Sequence, residues 1–330
     1  MEWDRILANS FEAFIGRDAV IYALAAIGLN IHFGYTGLLN FGQAAFLAVA
    51  AYGLAITVSI SGLSFWLGLV MGVLGAIVLA LLLGVPTLRL RADYLAIVTI
   101  AASEVVRLVF RAASLRDYTG GSNGLTAFAN DFYSLNPYPE GDYGFWLVSF
   151  SENELWILTV GWILIIAFSY MVWLLVRSPW GRVLKAIRED EDAVRSLGKN
   201  VYFYKMQSLV LGGVLGCFGG FVFAIASQSV QPDLYGPPLT FLAYACLILG
   251  GAARVLGPVL GAMIFWMILA FTDNFLNQAV RADYIPDSIM TGTQVGQVRF
   301  MLVGLALILL MIYRPQGIFG DRREIALDAR

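Results

Sequence analysis

Cysteine and histidine are nearly absent from this 330-residue chain, which has two cysteines, Cys217 and Cys246, and a single histidine, His32. Both cysteines fall in apolar stretches, which suits small packing residues and suggests neither a disulfide framework nor a metal site. A lone histidine excludes multi-histidine metal centres. Charge is scarce as well: Asp, Glu, Lys and Arg make up 13% of the chain, about half the share of an ordinary soluble domain. The net charge of −2 gives no electrostatic footprint for a nucleic-acid partner. There is no GxxxxGK[ST] loop, dinucleotide fingerprint, HExxH or CxxC. No cofactor is therefore expected in this chain, and an integral-membrane enzyme would lack its paired acid and base.

What fills the chain instead is apolar surface, with 59% hydrophobic residues and a mean hydropathy of +0.75. A soluble core of this size could not hide so much, so lipid is the expected solvent. A crossing helix needs roughly 20 mainly apolar residues. Ser64 to Leu83, Leu155 to Val176 and Met206 to Val230 meet that plainly. Ala19 to Phe33, Leu38 to Ile60, Asp93 to Phe110, Val255 to Thr272 and Val295 to Tyr313 are further candidates. Leu239 to Gly250 is apolar but short, which suggests a broken or re-entrant helix. The expectation is an all-α polytopic membrane protein of about nine spans, eight to ten, with internal repeats. Residues 1–18 place Trp3, Ile6, Leu7, Phe11, Phe14 and Ile15 at helical spacing and show no signal-peptide pattern. They read as an interfacial amphipathic segment or a disordered start, ahead of a transmembrane domain over 19–330.

Basic residues set the orientation. The connection 177–205 carries Arg177, Arg182, Lys185, Arg188, Arg195, Lys199 and Lys205 and reads as cytoplasmic. Arg89, Arg91, Arg314, Arg322 and Arg323 agree with that side. The connection 111–154 has Arg111 and Arg116 against six acidic residues and reads as external. Nine spans then place the N-terminus outside, and a tenth would place it inside. The external loop is dense in turn residues, from Thr119 to Gly124 and from Asn136 to Pro139, and is long enough for a docking surface.

Three places could carry function. Asn40 and Gln43 sit three apart between glycines, as in the unwound helices that build transporter sites; a tight turn with Asn40 capping the next helix fits equally. Glu104 and Arg107 share a helix face inside a span, where ionisable residues are costly. They line a pathway, gate it, or form a structural ion pair. Pro179 can open and Gly198 can close a helix that lines up Trp180, Leu184, Ile187, Val194 and Leu197. That helix fits a groove of a cytoplasmic partner or an anionic lipid surface; the acidic run from Glu189 to Asp192 favours the protein partner.

These segments resemble a known family. Asn30 to Phe46 (NIHFGYTGLLNFGQAAF), Arg91 to Thr99 (RADYLAIVT), Thr119 to Leu125 (TGGSNGL), Ser178 to Glu189 (SPWGRVLKAIRE), Leu249 to Ala262 (LGGAARVLGPVLGA) and Arg314 to Ile318 (RPQGI) are similar, in order, to the M-type permease subunit of the Liv branched-chain amino acid importers. The resemblance implies a multi-pass protein of the bacterial plasma membrane. It implies a second permease subunit, two cytoplasmic ATPase subunits that hydrolyse ATP, and an external solute-binding protein. It also implies that Ser178 to Gly198 is the coupling helix, with Gly181, Arg182, Ile187, Glu189, Asp190 and Gly198 as contacts. Gly198 matches the glycine of the importers' EAA-type loop, but Glu191-Asp192-Ala193 replaces the literal triplet. The wider family also carries urea, short amides, other amino acids and sugars. The pathway expectation rests on Asn40, Gln43, Glu104 and Arg107. An ion-coupled secondary transporter using Glu104 is the alternative.

Overall fold

A computed structural model describes residues 2–89, 92–145, 148–282, 284 and 292–320; Arg91, Arg322 and Arg323 lie outside them. Each of the nine expected segments contains a helix, but Leu38 to Ile60 becomes helical only at Gln43, and Met206 to Val230 leaves its helix after Ser227. The order is α1 (Trp3–Ile15), α2 (Arg17–Leu29), α3 (Gln43–Ala55), α4 (Phe65–Thr87), α5 (Ala92–Arg111), short α6 (Arg116–Thr119) and α7 (Asn130–Ser134), α8 (Glu152–Arg177), α9 (Pro179–Glu189), α10 (Glu191–Ser196), α11 (Val201–Ser227), α12 (Pro237–Gly250), α13 (Gly257–Arg281) and α14 (Val295–Tyr313). Among the described residues, seven helical stretches are long and apolar enough to cross a membrane, the first extending from Trp3 to Tyr35 with an extended residue, Gly16, between α1 and α2. α5 and the 14-residue α12 complete the expected nine but do not pass that test.

The centre is a trio. α2 is apolar on every face and buried almost throughout, as a helix surrounded by other helices must be. α11 lies against it and, on another side, against α3. α11 reaches both neighbours through a glycine seam: a Cβ at Gly216 would run into the Gln43 amide, one at Gly212 into the His32 ring, and one at Gly220 into the Leu47 backbone. Small residues of this kind let helix backbones approach where no hydrophobic effect pushes them together. α4 flanks α3 and α11, α8 flanks α2, and α13 runs antiparallel to α1 and α2. The amides of Asn9 and Asn274 (2.8 Å) and the rings of Tyr22 and Trp266 (5.0 Å) mark that pairing. The N-terminal segment is thus helical and lies along the C-terminal half of α13.

The basic connections gather at one end of the bundle. Arg89 lies over the Tyr202 ring, 5.7 Å from its centre, and the Arg314–Gly320 tail returns to α12 through Ile318 N–H on the Leu249 carbonyl (2.9 Å). At the opposite end, the loop after α5 has the bends its turn residues suggest and adds two short helices, α6 and α7, and a hairpin. Its strand β1 (Leu125–Thr126) pairs antiparallel with β4 (Ser229–Val230) at the exit of α11. β2 (Asp142–Phe145) and β3 (Val148–Ser151) form the hairpin that enters α8. Gly124, at φ +74°, has no room for a Cβ beside the Val230 carbonyl, so this clip depends on glycine.

Gly220→Val should force α3 and α11 apart. Overpacking of this kind costs about 1–3 kcal/mol, seen as a lower melting temperature of the detergent-purified protein. Gly304→Ala, in α14 where a Cβ meets nothing within 4 Å, should leave that temperature unchanged. Equal melting of the two variants would refute the seam.

Candidate functional site

α2 does not end in a turn. It widens into a π-helical segment, Asn30–Tyr35, and the chain then runs unwound through residues 37–42 before α3 begins. Such a stretch exposes backbone donors and acceptors in an apolar interior, where each must find a partner inside the protein. Side chains from α5 and α12 supply them there and at the start of α3. The Thr99 hydroxyl of α5 accepts from Phe41 N–H (3.0 Å), and the Thr240 hydroxyl of α12 accepts from Ala44 N–H (2.9 Å). Tyr244 O–H donates to the Asn40 carbonyl (3.0 Å). Asn30 spans to the turn before α13, accepting from Ala253 N–H and donating to the Arg254 carbonyl, both at 2.8 Å.

Asn40 and Gln43 are fully buried. The Asn40 carboxamide oxygen accepts from Gly42 N–H (2.9 Å), and its nitrogen donates toward His32 Nδ1 (3.1 Å) and the Gln43 carboxamide oxygen (3.4 Å). With His32 Nε2 lying 3.1 Å from the Leu209 carbonyl, one tautomer satisfies both contacts: Nε2–H donates to Leu209 and Nδ1 accepts from Asn40. The Gln43 amide nitrogen has no partner among the described residues. It points into the glycine seam at Gly216. In this conformation neither amide can be touched by a solute. The unwound backbone occurs, with Asn40 closing a turn inside it through Gly42 N–H; the expected Asn40 cap does not, because α3 starts after Gly42 with no side-chain cap bond.

Glu104 and Arg107 pair on α5, with Arg107 Nε at 3.0 and 3.1 Å from the two Glu104 carboxylate oxygens. Arg107 also binds Asp233, in the 3-10 turn Pro232–Tyr235 between β4 and α12, and Arg111 adds a 3.3 Å contact to the same carboxylate. The cluster sits at the acidic-loop end of α5, and Glu104 and Asp233 are 38% and 52% exposed. Ion pairs as wet as these add little stability, so position matters more than energy here. The cluster fastens the end of α5 to the start of α12. The structure joins Asn40 to Gln43 and Glu104 to Arg107. Thr99, on the same helix as Glu104, connects the two pairs.

The expected single helix from Pro179 to Gly198 is two. The chain breaks at Asp190, whose extended backbone (φ −153°) and carboxylate cap Ala193 N–H at 2.9 Å. The break turns Leu197 away from the apolar face, leaving it 81% exposed rather than aligned with Ile187. Gly181 is buried against the end of α8, where a Cβ would strike the Val176 backbone. Ile187 packs with Val194 and Val201. Arg182, Glu189, Asp190 and Gly198 are exposed, and Gly198 at φ +77° ends the second helix in open space. Glu191 is held by Lys205 and by Arg195 (2.8 Å), whereas Glu189, Asp190 and Asp192 are exposed.

Sequence reasoning missed Arg188. Its guanidinium donates to the Gly34 carbonyl at 2.6 Å, and Gly37 packs against its stem. It also missed Thr99, Thr240 and Tyr244; lone hydroxyls inside otherwise apolar spans were the available signal.

The helices, the unwound segment and the basic end fit a multi-pass helical membrane protein. A family model described as the branched-chain amino acid transport system / permease component matches residues 13–312, and the chain belongs to that family. It is 29% identical over 321 residues to the high-affinity branched-chain amino acid transport system permease protein LivM of Salmonella typhimurium, covering 94% of this chain and 70% of that protein. It is 23% identical to the probable LivM permease of Methanocaldococcus jannaschii, covering 92% and 91%. A solved structure, PsaBC from Streptococcus pneumoniae in complex with Fab, overlaps 96% of this chain and 94% of that one with a TM-score of 0.43 at 16% identity.

Asn40→Leu should leave the Gly42 N–H and the His32 Nδ1 without partners. Each orphaned buried group costs about 1–3 kcal/mol, and Thr240→Val orphans only one. Thermal unfolding of the purified protein should therefore fall further for Asn40→Leu. The reverse order would show that the Asn40 turn is dispensable.

Proposed function

We propose that the chain forms one half of the translocation pathway of an ATP-driven importer for small organic solutes, with branched-chain amino acids as cargo. The observation that carries this is the contact between Arg188 of α9 and the Gly34 carbonyl. Through it, a helix exposed at the basic end is joined to the unwound segment at the heart of the bundle. A cytoplasmic ATPase pushing on Arg182, Glu189, Asp190 and the Gly198 turn would load α9 and α10 directly. Gly181 and Ile187 would pass the load into the body, and Arg188 would pass it to residues 34–42. That stretch holds α5 through Thr99 and α12 through Thr240 and Tyr244.

α5 is where the path would lie. Its Ile97, Val105 and Leu108 are exposed, and a second permease subunit facing them would enclose an apolar route suited to an aliphatic zwitterion. Glu104 and Arg107 would stand at its external mouth, beneath the acidic loop where a solute-binding protein docks. Asn40 and Gln43 act behind this surface, setting its shape. In this reading α5 and α12 count among nine crossings, the N-terminus is external, and ATP is hydrolysed by two separate subunits.

The test is purification from the native membrane in mild detergent, with identification of retained subunits, followed by transport after reconstitution. A second permease and two P-loop ATPases should be recovered. Arg188→Gln should lower transport at least tenfold while ATP hydrolysis persists, because coupling rather than nucleotide chemistry is lost. Transport by this chain alone, driven by a proton or sodium gradient, would overturn the proposal in favour of secondary transport.

A further inference from the structure

Between α8 and the start of α13 lies a groove of about 890 Å³ that the proposed route does not use. Trp162, Ile165, Ile166 and Trp173 of α8 face Val259 and Leu260 of α13 across it. Apolar side chains thus dominate the length of the groove. One end is different. Arg177 from the end of α8, Lys185 from α9 and Arg254 from the turn before α13 all line it, and among the described residues no carboxylate does. Three elements distant in sequence therefore bring cations to one place. That place is the basic end of the bundle. Arg177 lies over the Trp173 ring, 4.0 Å from its centre, and Lys185 lies 5.8 Å from the centre of the Tyr35 ring. The Arg254 backbone is fixed by Asn30.

A second observation lies deeper. Ser169 lines the same groove, is only 7% exposed, and its hydroxyl has no hydrogen-bond partner among the described residues. Helical serines ordinarily bond back to the preceding turn, so an unpartnered hydroxyl in an apolar wall points to an acceptor brought by something else. An aliphatic wall, one polar group part-way along it and a cluster of cations at the membrane surface match a single chemistry. Basic pockets between transmembrane helices on the cytoplasmic side bind anionic lipid headgroups.

We propose that this groove holds one anionic phospholipid of the cytoplasmic leaflet, its phosphate between Arg177 and Lys185, an ester oxygen near Ser169, and its acyl chains along α8 and α13. The choice of leaflet rests on the orientation proposed above; the binding itself does not. Trp173 and Tyr170, stacked at 5.8 Å, stand beside the headgroup as interfacial aromatics do. Lys185 lies one turn before Arg188 on α9, so the bound lipid braces the helix that moves the unwound segment.

The test is native mass spectrometry of the purified, delipidated protein, alone and in its assembled complex, with equal amounts of dioleoylphosphatidylglycerol and dioleoylphosphatidylcholine. One phosphatidylglycerol per chain should be retained. Two basic contacts, at the usual strength for residues near a membrane surface, give a preference of roughly thirty-fold. Arg177→Gln with Lys185→Gln should bring the two lipids to parity. Ile166→Trp, at a 67% exposed position on the groove wall, should lower retention of both without affecting folding. Lys199→Gln, an exposed lysine outside the groove, should change nothing. Equal retention of the two lipids by the unaltered protein would overturn the proposal, as would a preference that survives the double variant or is lost equally in Lys199→Gln. So would loss of the lipid on assembly with cross-linking of Trp173 to another subunit, which would make the groove a protein interface. These readouts need no transport, so the lipid site can fail while the importer reading stands, and the reverse.

Discussion

The constraint on which this bundle depends is the unwound stretch at residues 37–42. An α-helix satisfies its own backbone; an open strand in an apolar interior does not, and an unpaired amide there costs several kcal/mol. The protein meets this with partners from elsewhere: Thr99 from α5, Thr240 and Tyr244 from α12, and Asn40 from within the stretch. Each partner is also a tether. The positions of α5 and α12 are thus fixed by the same bonds that make the break tolerable, and neither can move without the other being released or carried along.

The glycine seam of α11 has a matching consequence. Close packing at Gly212 and Gly216 lets His32 reach the Leu209 carbonyl and presses the Gln43 amide between helices. The His32 ring is held at both nitrogens, while Gln43 keeps an unmet donor. A buried donor without a partner is a small store of free energy, about 1–3 kcal/mol, that a shift of α3 against α11 could recover. Such a shift is what movement of α9 through Arg188 would produce. The polar seam therefore does two things at once: it makes one arrangement of the trio well defined, and it leaves a bias toward another.

How much of this was legible in the sequence follows from the range of the signals. Hydrophobic runs and basic residues are local, and each expected segment contains a helix, with the described basic connections gathered at one end. The caps were legible too: Pro179 opens α9 and Gly198 closes α10. The break at Asp190 was not, because the alignment of Leu184, Ile187, Val194 and Leu197 reads as one helix until Asp190 is seen to cap a new one. Asn40 and Gln43 stood out because polar residues among glycines are rare in such a chain, yet their burial could not be read. Whether a polar group faces a path or a neighbour depends on helices distant in sequence. For the same reason Thr99 and Thr240 were invisible: a single hydroxyl in an apolar span has many uses, and its partner lies 58 or 196 residues away.

That distance bears on how a load at the surface could reach the centre. α9 is amphipathic with one buried side, and a helix resting on lipid alone could slide without consequence. Arg188 removes that freedom, because its charged head is bound to a carbonyl of the π-helical segment and its stem is pressed on Gly37. The π-helical segment is also the part of α2 least able to resist, since its backbone bonds are already widened. Force applied to α9 would therefore be taken up by the junction that holds α5 and α12 in register. On the proposed reading, a helix pushing on a joint with two tethered arms would convert a displacement at the basic end into a change of spacing near Glu104 and Asp233, at the other.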